Sequence, residues 1–302
     1  MTGEHHEDPV ILRLVEWAGE RDVVRAMLLT STRAIPGGKV DALSDYDVIL
    51  VVREVRPWAG EKIRAWIGDF GEVLVAWWDP IPIDPDSGIE RTGNVVQYAD
   101  GLKIDFGLWS VAFLASIAAL PSLPAELDAG YRVLLDKDDL TGSLQPPTYR
   151  GYVPEPPDRA TFFDNVNGFF VGVPYVTKCL MRDELLPAKW CLDIDMRDTY
   201  LRPMLEWWVA CKNGWTTGLG NLGKGMKRHL PPDMWQELEA SYAGAAIAEN
   251  WESLFRLVAL YGRVAREVAV GLGFAYPDDL ERRVVDHARR MRDGEFGTAR
   301  GG

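Results

Sequence analysis

Two aspartates separated by one residue, Asp45 and Asp47 in Ser44-Asp45-Tyr46-Asp47-Val48-Ile49-Leu50, stand where an apolar, β-rich run begins. In an extended chain residues two apart project from the same face, so both carboxylates can share one cation. A third acid, Asp105, lies in Leu102-Lys103-Ile104-Asp105-Phe106-Gly107-Leu108. There Leu102, Ile104, Phe106 and Leu108 alternate onto one face and leave Asp105 on the other. A carboxylate placed there needs a partner, because burying it unpaired is costly. If the two strands are neighbours, three carboxylates converge, a set of hard oxygen donors that suits Mg²⁺ and leaves room for phosphate oxygens. Other readings of these acids stay open: Asp45 capping a turn, Asp47 paired with Arg33, and Asp105 in an ion pair near Lys103 on an edge strand.

Lys178 and Arg182 are four apart, which places them on one helical face; they could reach a nucleotide's phosphates or simply be solvated. Gly218-Leu219-Gly220-Asn221-Leu222-Gly223-Lys224 fits a dinucleotide fingerprint and most of a P-loop. It fails in context, since no strand pattern precedes it and Gly225 stands where a P-loop needs Ser or Thr. It reads as a loop between helices, in which Lys224 and Lys227 remain available for phosphate. His5 and His6 are metal-ligand types in an unanchored tail. Cys179, Cys191 and Cys211 show no CxxC spacing, so neither a disulfide framework nor a zinc site is expected.

The elements that must position these groups follow from periodicity. Val10–Ala18 repeats at helical spacing, and Glu61–Phe70 reads as a second helix. Val23–Leu29, Tyr46–Val52, Glu72–Trp78, Asn94–Tyr98 and Leu102–Trp109 read as strands, with a Pro-rich loop from Asp79 to Gly88. Pro146, Pro147, Pro154, Pro156 and Pro157 cannot sustain helix or sheet and mark a linker over 146–158. Beyond it Thr161–Arg182, Leu201–Lys212, Pro232–Ala243, Trp251–Val270 and Asp278–Arg292 carry apolar helical faces, with Pro174 expected to kink or split the first. The expected fold is α+β: an α/β domain over 1–145, the linker, and an α-helical bundle domain over 159–302, with the active site between the two domains. Phe169, Phe170 and Tyr175 are the aromatic candidates to line that cleft.

Leu29-Thr30-Ser31-Thr32-Arg33 followed by Asp41-Ala42-Leu43-Ser44-Asp45-Tyr46-Asp47-Val48 resembles the signature of the aminoglycoside 6-adenylyltransferases, a branch of the polymerase-β-like nucleotidyltransferases. Asp100-Gly101-Leu102-Lys103-Ile104-Asp105 resembles that family's segment bearing the third carboxylate. The resemblance continues through Asn167, Phe169 and Phe170, the run Tyr175 to Glu184, Met204-Leu205-Glu206-Trp207, Trp251 to Phe255 and Gly271 to Pro277. It implies a nucleotidyltransferase domain followed by a helical acceptor-binding domain. Asp45 and Asp47 would hold Mg²⁺ on the triphosphate, and Asp105 would complete the metal site or help take the acceptor's proton. Ser31, Thr32, Arg33, Lys178, Arg182 and Lys224 would contact ATP, and Glu184 and Tyr175 the acceptor. The implied reaction moves AMP from ATP to a hydroxyl of a small cationic acceptor such as streptomycin, an antibiotic-resistance activity. Two departures bear on this. The family usually reads Gly-Ser-Arg where this chain has Ser31-Thr32-Arg33, and an acidic residue follows the family's Asn where this chain has Gly168.

A chain of 302 residues, 47% apolar and with formal charge −12, is long enough for two domains and lacks the cationic excess that phosphate-backbone binding needs. Nucleic acid is therefore not the expected partner; the charge suits a cationic small molecule or serves solubility. The polar N-terminus lacks a signal-peptide pattern and no stretch reaches membrane-span length, so a reducing cytoplasm is expected, with no membrane partner. Two rival functions stand beside the leading one: a nucleotidyltransferase with a different acceptor, and a non-catalytic nucleotide- or drug-binding relative.

Overall fold

A computed structural model of the chain describes residues 8–83 and 89–295. His5, His6 and positions 84–88 of the Pro-rich loop lie outside the described residues. The chain divides into two compact units, Met1–Gly151 and Tyr152–Gly302.

In the first unit the apolar runs become β1 (Val24–Thr30), β2 (Tyr46–Val52), β3 (Val73–Trp78), β4 (Arg91–Tyr98) and β5 (Lys103–Ser110), joined by β6 (Tyr131–Asp136). They form one sheet in the order β3-β4-β5-β2-β1-β6. β2 and β5 pair in parallel, and the other neighbours are antiparallel. The continuous apolar character of β1 and β2 follows from burial on both faces. β5 is an interior strand, so Asp105 does not stand on an edge. One face packs on α1 (Pro9–Gly19) through Leu14, Trp17, Met27, Val48 and Phe106. α1 begins where Asp8 accepts from Val10 N at 2.9 Å with Pro9 in the first turn. The opposite face is covered in part by α2 (Val111–Ala118) and α3 (Ala125–Asp128), through Leu28, Ile49, Val51, Trp109, Leu114 and Leu127.

The helix expected over Glu61–Phe70 is instead two 3₁₀ segments, Gly60–Ala65 and Ile67–Phe70, broken at Trp66. Trp66 takes φ −134°, and its indole packs 4.9 Å from the ring of Phe106. Tertiary packing of that ring overrides the local helical spacing.

The second unit is helical: α4 (Arg159–Met181), α5 (Leu185–Trp190), a π-helical stretch Cys191–Leu201, α6 (Arg202–Lys212), α7 (Met226–His229), α8 (Pro232–Ala240), α9 (Ile247–Leu272) and α10 (Asp278–Arg292). α4 runs through Pro174 as a single helix and does not split. Its buried residues continue on both sides of the proline, from Phe162 to Leu180, so packing outweighs the one lost backbone bond. Phe169 and Phe170 are core residues, Phe169 stacking on Tyr261 at 3.6 Å, and do not line a cleft. Among the described residues the three cysteines are free, and no helix is long and apolar enough to cross a membrane.

Candidate active site

The register of β2 against β5 sets Asp47 directly beside Asp105. The pairing extends across the sheet as one row, Trp77, Val95, Asp105, Asp47, Thr30 and Tyr131, whose side chains share a face. Asp45 precedes β2 by one residue, and Lys103 opens β5. The Lys103 ammonium donates to Asp45 Oδ2 at 2.6 Å and to Asp105 Oδ2 at 2.8 Å. Burial opposes the charge on Lys103, but hydrogen bonds to Asp105 and Asp45 outweigh it and raise its pKa. The ion pair of Asp105 with Lys103 that the sequence left open is present, and Lys103 bridges to Asp45 as well; its two-residue spacing from Asp105 puts both on one face.

Among the described residues no three His, Cys, Asp or Glu side chains form a ready-made metal cluster. Two features nevertheless fit a divalent cation. Asp105 Oδ1 is buried without a hydrogen-bond partner. The pKa of Asp47 is raised, first by burial and then by the charge of Asp105, while the Ser31 hydroxyl hydrogen bonds to it and pulls the other way. Two adjacent carboxylates, one half-satisfied and the other resisting ionisation, form a site short of positive charge.

Ser31 and Arg33 lie in the 3₁₀ segment Ser31–Ala34 that follows β1. Ser31 holds φ +61°, a left-handed backbone that favours glycine, which explains why glycine suits the position in the family signature. Here the side chain is retained, and its hydroxyl favours the ionised form of Asp47. Ser31→Ala keeps the strain and loses the hydroxyl, whereas Ser31→Gly loses the hydroxyl and relieves the strain. Ser31→Gly is therefore expected to be more stable than Ser31→Ala by about 1 kcal/mol, the reverse of the usual order, as read from their denaturant midpoints. Thr32 is exposed, and the loop closes on its carbonyl: a Cβ at Gly38 would lie 2.3 Å from Thr32 O.

Arg33 does not pair with Asp47. Its guanidinium donates to Asp45 O at 3.0 Å, Ser44 O at 2.9 Å and Asp8 Oδ2 at 3.1 Å, and lies 3.8 Å from the Tyr46 ring centroid. Tyr46 in turn donates to Asp8 at 2.7 Å, and burial together with that bond pushes its pKa up to about 12. The arrangement clamps the backbone that carries Asp45.

The remaining predicted residues belong to the second unit. Tyr175, Lys178, Arg182 and Glu184 are exposed, with the Lys178 ammonium 5.7 Å from the Tyr175 ring centroid. Lys224 is exposed after the turn Asn221–Gly223. Among the described residues Lys178, Arg182 and Lys224 make no ion pair, which leaves them available to an anion, whereas Lys227 pairs with Glu239 at 3.7 Å. A side chain at Gly168 would start 2.3 Å from Tyr200 Cε1, so the Tyr200 ring fills the space an acid would need there. Tyr200 belongs to the π-helical stretch, which carries no clear periodic signal in the sequence.

A sequence profile described as streptomycin adenylyltransferase matches residues 5–291. The aminoglycoside 6-adenylyltransferase of Bacillus subtilis (strain 168) is 29% identical over 268 residues, covering 87% of this chain and 90% of that protein. Those of Campylobacter jejuni and Staphylococcus aureus are 28% and 25% identical, covering 84% and 89% of this chain and 85% and 93% of their own lengths. A crystal structure of an aminoglycoside 6-adenyltransferase from Bacillus subtilis aligns with 93% of this chain and 96% of its own at 24% identity, with a TM-score of 0.46. The class is that of the nucleotidyltransferases. Within it, the chain belongs to the streptomycin adenylyltransferase family, whose profile spans both units.

Proposed function

We propose that the protein transfers the adenylyl group of ATP to a hydroxyl of an aminoglycoside such as streptomycin, with Mg²⁺ held by Asp45, Asp47 and Asp105. Family membership supports adenylyl transfer, and the observation that carries the site assignment is the side-by-side placement of Asp47 and Asp105. When bound, a divalent cation neutralises charge on the α-phosphate and the departing pyrophosphate. The chain's own residues do the rest. Asp47 and Asp105 present adjacent carboxylates, and the Arg33 clamp holds Asp45 at the mouth of the same strand. Lys103 keeps one positive charge among three negative ones, so the acids remain together before substrate arrives. Asp105 Oδ1, buried and without a partner, is the oxygen this set offers the cation; as the acceptor hydroxyl's oxygen bonds to the α-phosphorus, pyrophosphate leaves and the hydroxyl proton passes to solvent. Exposed Glu184 and Tyr175 are candidates for the acceptor, and Lys178, Arg182 and Lys224 for phosphate.

A second reading, an adenylyl acceptor other than a known aminoglycoside, is favoured by Tyr200 standing where an acid would lie. Pyrophosphate release from ATP and Mg²⁺ against an aminoglycoside panel, with Asp45→Asn as control, separates these readings. Release that requires both streptomycin and Asp45 is the expected result. ATP-induced stabilisation with no release against any acceptor would instead mark a protein that binds without turnover.

A further inference from the structure

Beside the carboxylate row lies a cleft of about 640 Å³, within the range of small-molecule sites. Its floor is unusual for the middle of a sheet. Gly93 of β4 pairs directly with Gly107 of β5, and Gly107 in turn pairs with Ile49 of β2. Two glycines opposite each other on interior strands leave room over the backbone, into which neighbouring side chains lean. Both are two residues along from the carboxylate row and on its face, about 7 Å away. The two ends of this bare floor carry polar groups. A Cβ at Gly93 would meet Asp79 Oδ2 at 2.9 Å, so the glycine makes room for that carboxylate. Asp79 is pinned by its backbone, donating to Gly93 O at 2.8 Å and accepting from Thr92 Oγ1 at 2.9 Å. Its carboxylate has no ion pair or hydrogen bond among the described residues. At the other end the Trp109 indole Nε1 lies 3.5 Å from the Cβ position of Gly107. Trp109 is only 4% exposed and its ring packs 4.8 Å from Phe113, yet its N–H has no acceptor among the described residues. Its N–H is not among the buried unpartnered polar atoms, and Trp109 lines the cleft.

We propose that Asp79 and Trp109 determine acceptor specificity, gripping a polyhydroxylated cationic ring in the cleft they line together with Asp47 and Asp105. Asp79 takes an amine or guanidinium of the acceptor, and the Trp109 N–H donates to a ring or hydroxyl oxygen. This places the acceptor's neighbouring hydroxyl toward Asp105, and it rests on the proposed function above.

The test compares wild type with Asp79→Asn and Trp109→Phe, using streptomycin and ATP as variable substrates and calorimetric titration of streptomycin into the nucleotide-free protein. Loss of one charge-assisted contact should raise the streptomycin KM and Kd of Asp79→Asn about 10- to 100-fold, with KM for ATP unchanged. Trp109→Phe, which keeps an aromatic ring against Phe113, should raise them about 3- to 10-fold. Unchanged streptomycin KM in both variants overturns the assignment, as does a rise confined to the KM for ATP, which would give the cleft to the nucleotide. Wild type without any aminoglycoside-dependent turnover sinks the proposed function, and this assignment with it.

Discussion

Asp47→Asn is expected to lower kcat about 10³-fold while raising the melting temperature of the metal-free protein. The loss of activity follows from removing one carboxylate of the pair proposed to hold the cation, worth several kcal/mol in the transition state. The gain in stability follows from the sign of the pKa shift. Burial and then the charge of Asp105 raise the Asp47 pKa in the fold, so ionised Asp47 opposes folding. The penalty is absent below the ordinary aspartate value of about 3.9 and grows in as pH rises through the raised folded value. Asparagine escapes it. At neutral pH the variant should therefore melt higher, by about 2–4 °C for each kcal/mol relieved, and the gap should close as pH falls toward 4. Mg²⁺ with ATP should then stabilise wild type and leave Asp47→Asn unmoved. Equal melting temperatures at neutral pH would show that the two carboxylates do not repel, and full turnover in the variant would remove Asp47 from the metal site.

Arg33→Ala should cost about 2–3 kcal/mol of stability, because the side chain makes three hydrogen bonds while only 13% exposed and its loss strands two backbone carbonyls and removes the cation paired with Asp8. Its kcat should fall about 100-fold, since the freed Ser44–Asp45 backbone no longer fixes a carboxylate within the tolerance that catalysis requires. Arg33→Lys should rescue little, as a single ammonium cannot reproduce the planar fork or the stacking on Tyr46. Thermal melts and steady-state kinetics on the same preparations decide between this positioning role and direct phosphate binding. Were Arg33 a phosphate ligand alone, the KM for ATP would rise with stability unchanged.

The candidate acids were legible because period-two spacing is a local property: Asp47 and Asp105 interrupt apolar strands and Asp45 precedes one, at positions that alternation makes conspicuous. Most strands and the long helices of the second half were readable for the same reason. The two short 3₁₀ segments around Trp66 were not, since one buried ring outweighed a helical pattern. Nor was β6, whose Arg132 and Asp136 blur its alternation and whose place beside β1 is fixed by a partner more than a hundred residues away.

By itself the sequence determined the element types, the apolar faces and which carboxylates could serve a cation, since these depend on neighbours within a few residues. Only the tertiary structure decided that β2 and β5 are parallel partners in the register that joins Asp47 to Asp105, that Lys103 bridges Asp45 and Asp105, and that Arg33 clamps the strand mouth instead of pairing with Asp47. It alone also set Gly93 against Gly107 and brought Asp79 and Trp109 to the ends of that floor. Strand order and register are properties of pairs distant in the chain, selected by burial of whole faces, and no local pattern encodes them.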